Sequence, residues 1–331
     1  MPARTSRKNK MTDCYIGIDT SNYTTSAAVC DGDGRVVANL KIPLPVKAGE
    51  RGLRQSDAVF HHVKNLPEIM QSLREELARG EYSPVAIGVS VTPRDVQGSY
   101  MPCFLSGRAA AYSAAAVSGV PVYEFSHQSG HVMAALYSSG HAQELTKGEF
   151  LAFHVSGGTT EALLVNPKGA EFDIELVGQT NDINAGQAID RVGVAMGLAF
   201  PCGRELESYA ASYVGEVHRH KVCVRDGNCS LSGAENIALK IYEQTGDVSA
   251  SAAFLFEFIG DTLSEMAQQL LQKYGKMPVL FAGGVMSNKL MRTKLLSRFE
   301  AYFAEPAYSA DNAAGTALLC RAKHMMNIQN H

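Results

Sequence analysis

Two histidines one helical turn apart are the first residues of this chain whose types and spacing could do chemistry. They stand in the run Ser126-His127-Gln128-Ser129-Gly130-His131. On a helix, an i, i+4 spacing puts His127 and His131 on one face, where both imidazoles can reach a single cation. The ordinary alternative is a chance pair, since many helices carry two histidines at this spacing. A third ligand would decide between them. Asp311, in Tyr308-Ser309-Ala310-Asp311-Asn312-Ala313-Ala314, is read at a helix N-cap, where a carboxylate is free to ligate, although capping alone is a common use of Asp. One chemistry is excluded: a zinc protease needs a glutamate general base directly after the first histidine, and this chain has Gln128, which takes no proton from a metal-bound water. The other histidines show no such convergence. His61 and His62 fall on a long helix, His154 in a strand, His141, His218 and His220 in loops, and His324 and His331 near the end of the chain.

Three small-residue segments could approach a ligand closely. Gly17-Ile18-Asp19-Thr20-Ser21 and Ser156-Gly157-Gly158-Thr159-Thr160 are read as matched turns whose backbone N–H groups and hydroxyls face phosphate. Many hairpins carry such residues without a function, so the signal lies in the matching of the two. In Phe281-Ala282-Gly283-Gly284-Val285-Met286-Ser287-Asn288 a buried strand ends in two glycines. A flat purine could lie against Gly283 and Gly284 while the Asn288 amide meets its polar edge; the plain reading is a strand-to-helix turn.

The elements that must carry these residues repeat in order. Strands are expected at Tyr15–Asp19, Ser26–Cys30 and Val36–Leu40, a helix over Gln55–Arg79, then strand, helix and strand at Val85–Val91, Gly107–Ser118 and Val122–Phe125. A second meander follows at Phe150–Val155, Thr160–Val165 and Phe172–Gly178, with a turn at Asn166-Pro167-Lys168-Gly169 between its last two strands. Helices come next at Ala185–Met196, Arg204–Tyr213, Ser232–Gln244 and Ala250–Tyr274, then a strand at Pro278–Ala282, a helix near Asn288–Arg298, a strand around Ala301–Phe303 and a last helix at Asn312–Met325. Two rounds of this order predict two similar α/β lobes facing each other across a cleft. The expected division is a basic disordered leader at 1–10, an N-terminal lobe of 11–120 plus 310–328, and a C-terminal lobe of 121–309.

Composition fits that organisation. With 331 residues the chain can build two cores, which excludes a small disulfide scaffold. A net charge of −3 offers no polyanion-binding surface, so any nucleic-acid contact must be local or supplied by a partner. Seven scattered cysteines without a CxxC pair, no apolar run of about 18 residues and no signal-like start point to a cytoplasmic chain with reduced thiols and no membrane segment. Arg4, Arg7, Lys8 and Lys10 read as a solvated tail, or as residues preceding a true start at Met11.

Taken in order, these motifs resemble the universal family of tRNA threonylcarbamoyladenosine transferases (TsaD, YgjD or Gcp, once called O-sialoglycoprotein endopeptidases). The likeness runs from about Tyr15 to Leu319. It rests on Gly17–Ser21, His62-Val63-Lys64-Asn65-Leu66-Pro67, His127–His131, Val155–Gly158, Ala185-Gly186-Gln187-Ala188-Ile189-Asp190, Cys229–Gly233, Gly283-Gly284-Val285 with Asn288, and Asp311–Ala314. The resemblance implies two ribonuclease-H-like lobes of the actin-like ATPase (ASKHA) class. It implies one divalent iron or zinc ion on His127, His131 and Asp311, and transfer of threonylcarbamoyl from its adenylate to N6 of adenosine 37 in tRNA. Ser156, Gly157 and Gly158 would meet the nucleotide's phosphates, Asp190 the ribose, Gly203 the adenosine pocket and Asn288 the base. The metal would polarise the donor as a Lewis acid while a closed site shields the mixed anhydride from water. The implied partners are tRNA and the other subunits of the threonylcarbamoylation machinery, with a homodimer and a heterodimer both open.

The chain departs from the family pattern at several polar positions. Asn22-Tyr23-Thr24 replaces a cysteine and two acids, Thr159 a histidine, Ile183 the second of two acids, Gln187 a glutamate, and Glu235 stands where a lysine is usual; the Pro-Gly turn of the first lobe reads Pro93-Arg94. Two further readings therefore stand beside transfer to tRNA. One is a non-catalytic nucleotide- and metal-binding paralogue with a regulatory or assembly role. The other is a carbamoyltransferase acting through carbamoyl-adenylate on a small molecule.

Overall fold

The computed structural model describes residues 11–21, 23–45, 53–217, 220–309 and 313–329. The expected leader at 1–10 and Asp311 lie outside the described residues. In chain order the strands are β1 (Thr12–Ser21), β2 (Thr24–Asp31), β3 (Val36–Pro43), β4 (Tyr82–Thr92), β5 (Val122–Ser126), β6 (Phe150–Val155), β7 (Thr160–Lys168), β8 (Glu171–Gln179), β9 (Cys223–Arg225), β10 (Asn228–Ser230), β11 (Val279–Ala282) and β12 (Ala301–Phe303). The helices are α1 (Gln55–Arg79), α2 (Phe104–Ser118), α3 (His127–Ser139), α4 (Ala142–Leu145), α5 (Ala185–Ala195), α6 (Gly203–Ser212), α7 (Ser232–Thr245), α8 (Val248–Tyr274), α9 (Lys289–Leu296) and α10 (Ala314–Gln329).

The chain divides into two units. The first takes in the residues up to Ala134, Gly169–Glu171 and the C-terminal helix; the second takes in Ala135–Lys168 and the chain from Phe172 through β12. The first unit thus extends past the expected boundary at 120. As a strand-helix-strand unit implies, β5 lies parallel to β4, Ile87 opposite Val122, so the strand after residue 120 completes the first sheet.

Each unit holds a five-stranded mixed sheet. The first runs β3-β2-β1-β4-β5, and the second β12-β11-β6-β7-β8, so each joins a three-strand meander to two further strands. Within the first, β1 is antiparallel to β2 and parallel to β4; within the second, β6 is antiparallel to β7 and parallel to β11. The short hairpin β9–β10 was not expected, and β7 continues through Pro167 to Lys168 where a turn was expected.

The first core packs Ile16, Ile18, Val29, Ile87 and Val89 of the sheet against Ile69 and Leu73 of α1. The second buries most of α8, with Phe254, Ile259 and Leu263, among α6, α7 and α9. Phe153, Phe281 and Phe303 stack across adjacent strands, with ring centroids 5.0 and 5.3 Å apart. Fully burying one such ring contributes roughly 1.5–3 kcal/mol.

His62 ties α1 to the end of β1. It is fully buried, its Nε2 lies 2.8 Å from the Ser21 carbonyl and its Nδ1 lies 2.8 Å from the Thr25 hydroxyl. A neutral ring satisfies both, donating from Nε2 and accepting at Nδ1. Burial depresses its pKa below the ordinary 6.5, and the Ser21 hydrogen bond and the Asp19 charge oppose that only in part. Unfolded His62 therefore binds a proton more readily than folded His62. Its contribution to stability is complete above pH 6.5 and declines as the pH falls below that value and through the folded pKa. We expect the thermal midpoint to drop between pH 7 and pH 5. His62→Gln should remove that part of the slope and cost about 1–3 kcal/mol at pH 7.5, from the disturbed buried bonds, measured by urea unfolding.

Candidate functional site

The polypeptide passes from β5 straight into α3, so His127 is the first helical residue. Ser126 caps the turn, its hydroxyl accepting from Ser129 N–H at 3.0 Å. The Asp95 carboxylate accepts from both the Ser126 and Ser129 hydroxyls at 2.6 Å, and Gln128 N–H donates to the Pro93 carbonyl at 3.0 Å. A carboxylate at a helix N-terminus also meets the positive end of the helix dipole. The loop after β4 thus fixes the first turn of α3. His127 and His131 emerge from it with ring centroids 4.3 Å apart and planes at 74°, and the Phe104 ring lies 5.9 Å from His127.

Gly130 sits between the two histidines, and α10 crosses there. A Cβ on Gly315 would overlap the Gly130 carbonyl, and a Cβ on Gly130 would come 3.1 Å from the Thr316 hydroxyl. Both helices need glycine at this point for their backbones to approach.

The three residues proposed for a first phosphate loop, Asp19, Thr20 and Ser21, are the last of β1, and all are buried. The Thr20 hydroxyl donates to the Cys103 carbonyl and accepts from Gly107 N–H, both at 3.0 Å. Asp19 Oδ1 accepts from Ser21 N–H at 3.0 Å, and Oδ2 lies 2.8 Å from His127 Nδ1. The Ser21 hydroxyl is buried with no partner among the described residues. Asp19 therefore meets the histidine pair itself, a link that spans 108 positions and has no sequence signature.

Two imidazoles, one backed by a carboxylate on Nδ1, are a donor set that fits a divalent transition metal. Among the described residues no three His, Cys, Asp or Glu side chains converge on one point. Asp311, the expected third ligand, lies outside them.

The second unit brings together the other candidates. The turn after β6 closes with Ser156 N–H on the Thr159 carbonyl at 2.7 Å, and the Ser156 hydroxyl accepts from Gly158 and Thr159 N–H at 3.3 and 3.1 Å. A Cβ added at Gly157, Gly158 or Gly284 would meet no atom within 4 Å, so these backbones border open space. Gly283, at φ +102°, lies against the Val155 backbone so closely that any side chain would collide. α5 starts beside the same turn, with Gly186 N–H on the Ser156 carbonyl at 3.1 Å. Asn288 caps α9 through Oδ1 on Met291 N–H at 2.9 Å, leaving its buried Nδ2 without a partner among the described residues. A buried donor without a partner costs about 1–3 kcal/mol unless something fills it.

Asp190, on α5, accepts from Cys202 N–H at 2.8 Å. Burial raises its carboxyl above the usual range, against the lowering by that bond. Gly203 opens α6 next to Cys202.

The departures from the family pattern have structural partners. Gln187 Oε1 accepts from Asn184 N–H at 3.0 Å, the reach-back half of a capping box that glutamine supplies as well as glutamate. Ile183 packs on the second core. Burial alone would raise the Asp182 carboxyl, but bonds from Ser232, Leu231 and Ile183 outweigh it and hold it below the usual carboxylate range. Asp182 thereby joins the loop before α5 to the start of α7.

Two mixed five-stranded sheets of this order, each with its helices, make up the actin-like ATPase (ASKHA) fold. Among solved structures, HypF of T. kodakarensis superposes with a TM-score of 0.61 at 13% identity, covering 96% of this chain and 48% of its own. The chain thus spans about half the length of HypF. The ROK hexokinase of Thermus thermophilus superposes with a TM-score of 0.51 at 16% identity, covering 96% of this chain and all of its own. At these identities the likeness concerns the fold alone. Residues 45–318 match the family described as TsaD: tRNA N6-adenosine threonylcarbamoyltransferase. Proteins of that name from Streptococcus pneumoniae strains Taiwan19F-14 and JJA are 30% identical over 298 residues, 86% of this chain and 84% of theirs. The chain belongs to the TsaD family, a family of transferases.

The α3–α10 crossing gives a direct test of what holds the histidine pair. Gly315→Ala should lower stability by about 1–3 kcal/mol in urea unfolding, because overpacking at a backbone contact outweighs the gain in helix propensity.

Proposed function

We propose that this chain moves a threonylcarbamoyl group from its adenylate to N6 of adenosine 37 in tRNA, in the cytoplasm, together with other subunits of the modification machinery. The observation that carries this reading is the His127–His131 pair at the start of α3, with rings 4.3 Å apart and His127 backed by Asp19, in a chain of the TsaD family. His127 and His131 would hold a divalent iron or zinc ion. Asp311 is the third candidate; it precedes α10 in sequence, and Gly315 of α10 touches Gly130 between the two histidines. When bound, the metal would supply Lewis-acid polarisation of the donor.

The turn at Ser156, Gly157, Gly158 and Thr159 would border the nucleotide's phosphates, with Gly157 and Gly158 leaving room for them beside the N-terminus of α5. Gly283 and Gly284 would let the adenine lie against bare backbone, and the spare Nδ2 of Asn288 would donate to its edge. Asp190 and Gly203 would contact the ribose and the adenosine pocket. Asp19, Thr20 and Ser21 belong in this reading to the support of the histidine pair, since their side chains are buried.

A second reading, a nucleotide- and metal-binding paralogue without transferase activity, is favoured by one observation. Ile183 and Gln187, at positions the family gives to acids, pack on the core and cap a helix.

One experiment separates the two. Purified chain with the family's partner subunits, threonylcarbamoyl-adenylate and unmodified tRNA should yield modified adenosine, detected by mass spectrometry of digested tRNA, and His131→Ala should abolish it. Bound AMP and zinc without product would select the second reading. Asn288→Ser keeps a cap on α9 but removes the spare donor. It should weaken AMP binding roughly tenfold by calorimetry, about 1.4 kcal/mol, with little change in unfolding.

A further inference from the structure

The Asp19 carboxylate is held from every side that its strand offers. It is 1% exposed; Oδ1 accepts from Ser21 N–H at 3.0 Å, and the Asp19 carbonyl accepts from the Ser26 hydroxyl at 3.1 Å. On either side of it in the chain, Gly17 abuts α10, and Thr20 is bonded to Cys103 and Gly107. Oδ2 is thereby aimed at His127 Nδ1, 2.8 Å away. A carboxylate only accepts, so Nδ1 must carry the ring hydrogen, and a neutral imidazole then has its lone pair on Nε2. The rest of the residue is fixed independently, since Asp95, Ser126 and Ser129 hold the helical turn that carries His127. The side chain of His127 remains 19% exposed.

We propose that Asp19 is a positioning residue that locks His127 in the Nδ1–H tautomer and so presents Nε2 as the donor nitrogen to a divalent metal; this rests on the metal reading of His127 and His131 given above. The chemistry gives an acid at this position of the strand a role that an amide could not fill. An amide at position 19 can turn its NH2 toward Nδ1, which favours the Nε2–H tautomer and blocks the nitrogen that would ligate. A carboxylate has no such alternative.

The test uses full-length, metal-free protein with 15N-labelled histidine, and Zn2+ as the probe. Imidazole nitrogen shifts report the tautomer of His127, assigned by the signal lost in His127→Gln, and competition with a chromophoric chelator reports Zn2+ affinity. The wild type should show a protonated Nδ1 and a bare Nε2 on His127. Asp19→Asn should move the ring toward Nε2–H and weaken Zn2+ about 10–100-fold. His131→Ala should weaken Zn2+ while leaving the His127 tautomer unchanged, which tells loss of a ligand from loss of the tautomer. A wild-type ring already in the Nε2–H form overturns the proposal, and so does an Asp19→Asn protein with unaltered tautomer and affinity. Should Asp19→Asn fail to fold, the wild-type spectrum decides. Zn2+ binding indifferent to His131→Ala, with the Nδ1–H tautomer intact, overturns the metal reading and the proposal with it. The intact tautomer tells that outcome apart from failure of the proposal alone.

Discussion

A buried carboxylate must be matched by donors, and the Asp19 side chain meets that demand by joining β1 to α3. An ionised group at 1% exposure is tolerated only when hydrogen bonds replace its lost water. The Ser21 amide and the His127 ring do so at 3.0 and 2.8 Å. That requirement fixes where α3 begins relative to the first sheet. It also explains why so many neighbours converge on the end of β1. His62 from α1, Cys103 and Gly107 around the start of α2, and Ser26 from β2 all bond to the Asp19–Ser21 backbone or side chains. The histidine pair is thus a product of the packing of the whole unit rather than of one helix.

The second unit is built on a different constraint, backbone bordering open space. Gly157, Gly158 and Gly284 present bare main chain, and Gly283 allows the strand after Pro278 to press against Val155. The polar groups nearby are satisfied locally, through the Ser156 turn, the α5 cap and the Asp182 tie to α7. The Asn288 Nδ2 atom is the exception. The Asn288 side chain caps α9 through Oδ1 and leaves this one donor buried without a partner among the described residues.

The substitutions relative to the family fall into the same accounting. Gln187 retains the hydrogen bond a glutamate would make to the helix start and drops its charge. Ile183 exchanges a charge for contact with the core. Both side chains fit the backbone around them, one as part of a helix cap and one as part of a core.

Elements long enough to show a period were legible in the residues themselves. The apolar stripe of α1, the run of α8 and both meanders were read from local patterns, because burial of one face imposes a 3.6- or 2-residue repeat. The i, i+4 spacing of His127 and His131 was equally readable. Short elements were legible only in part: β11 and β12 were read, but β9 and β10, with three residues each, show no alternation, and Pro167 reads as a breaker although it lies near the end of β7. What only the tertiary structure decided are the contacts between distant positions. The start of α3 belongs to the first unit as far as Ala134, the Gly130–Gly315 approach sets α10 against α3, and Asp19 reaches His127. The physical reason is that periodicity records only which face of an element is buried. The partner that buries it, and the donor that satisfies a given carboxylate, are chosen when the sheet closes and the helices pack.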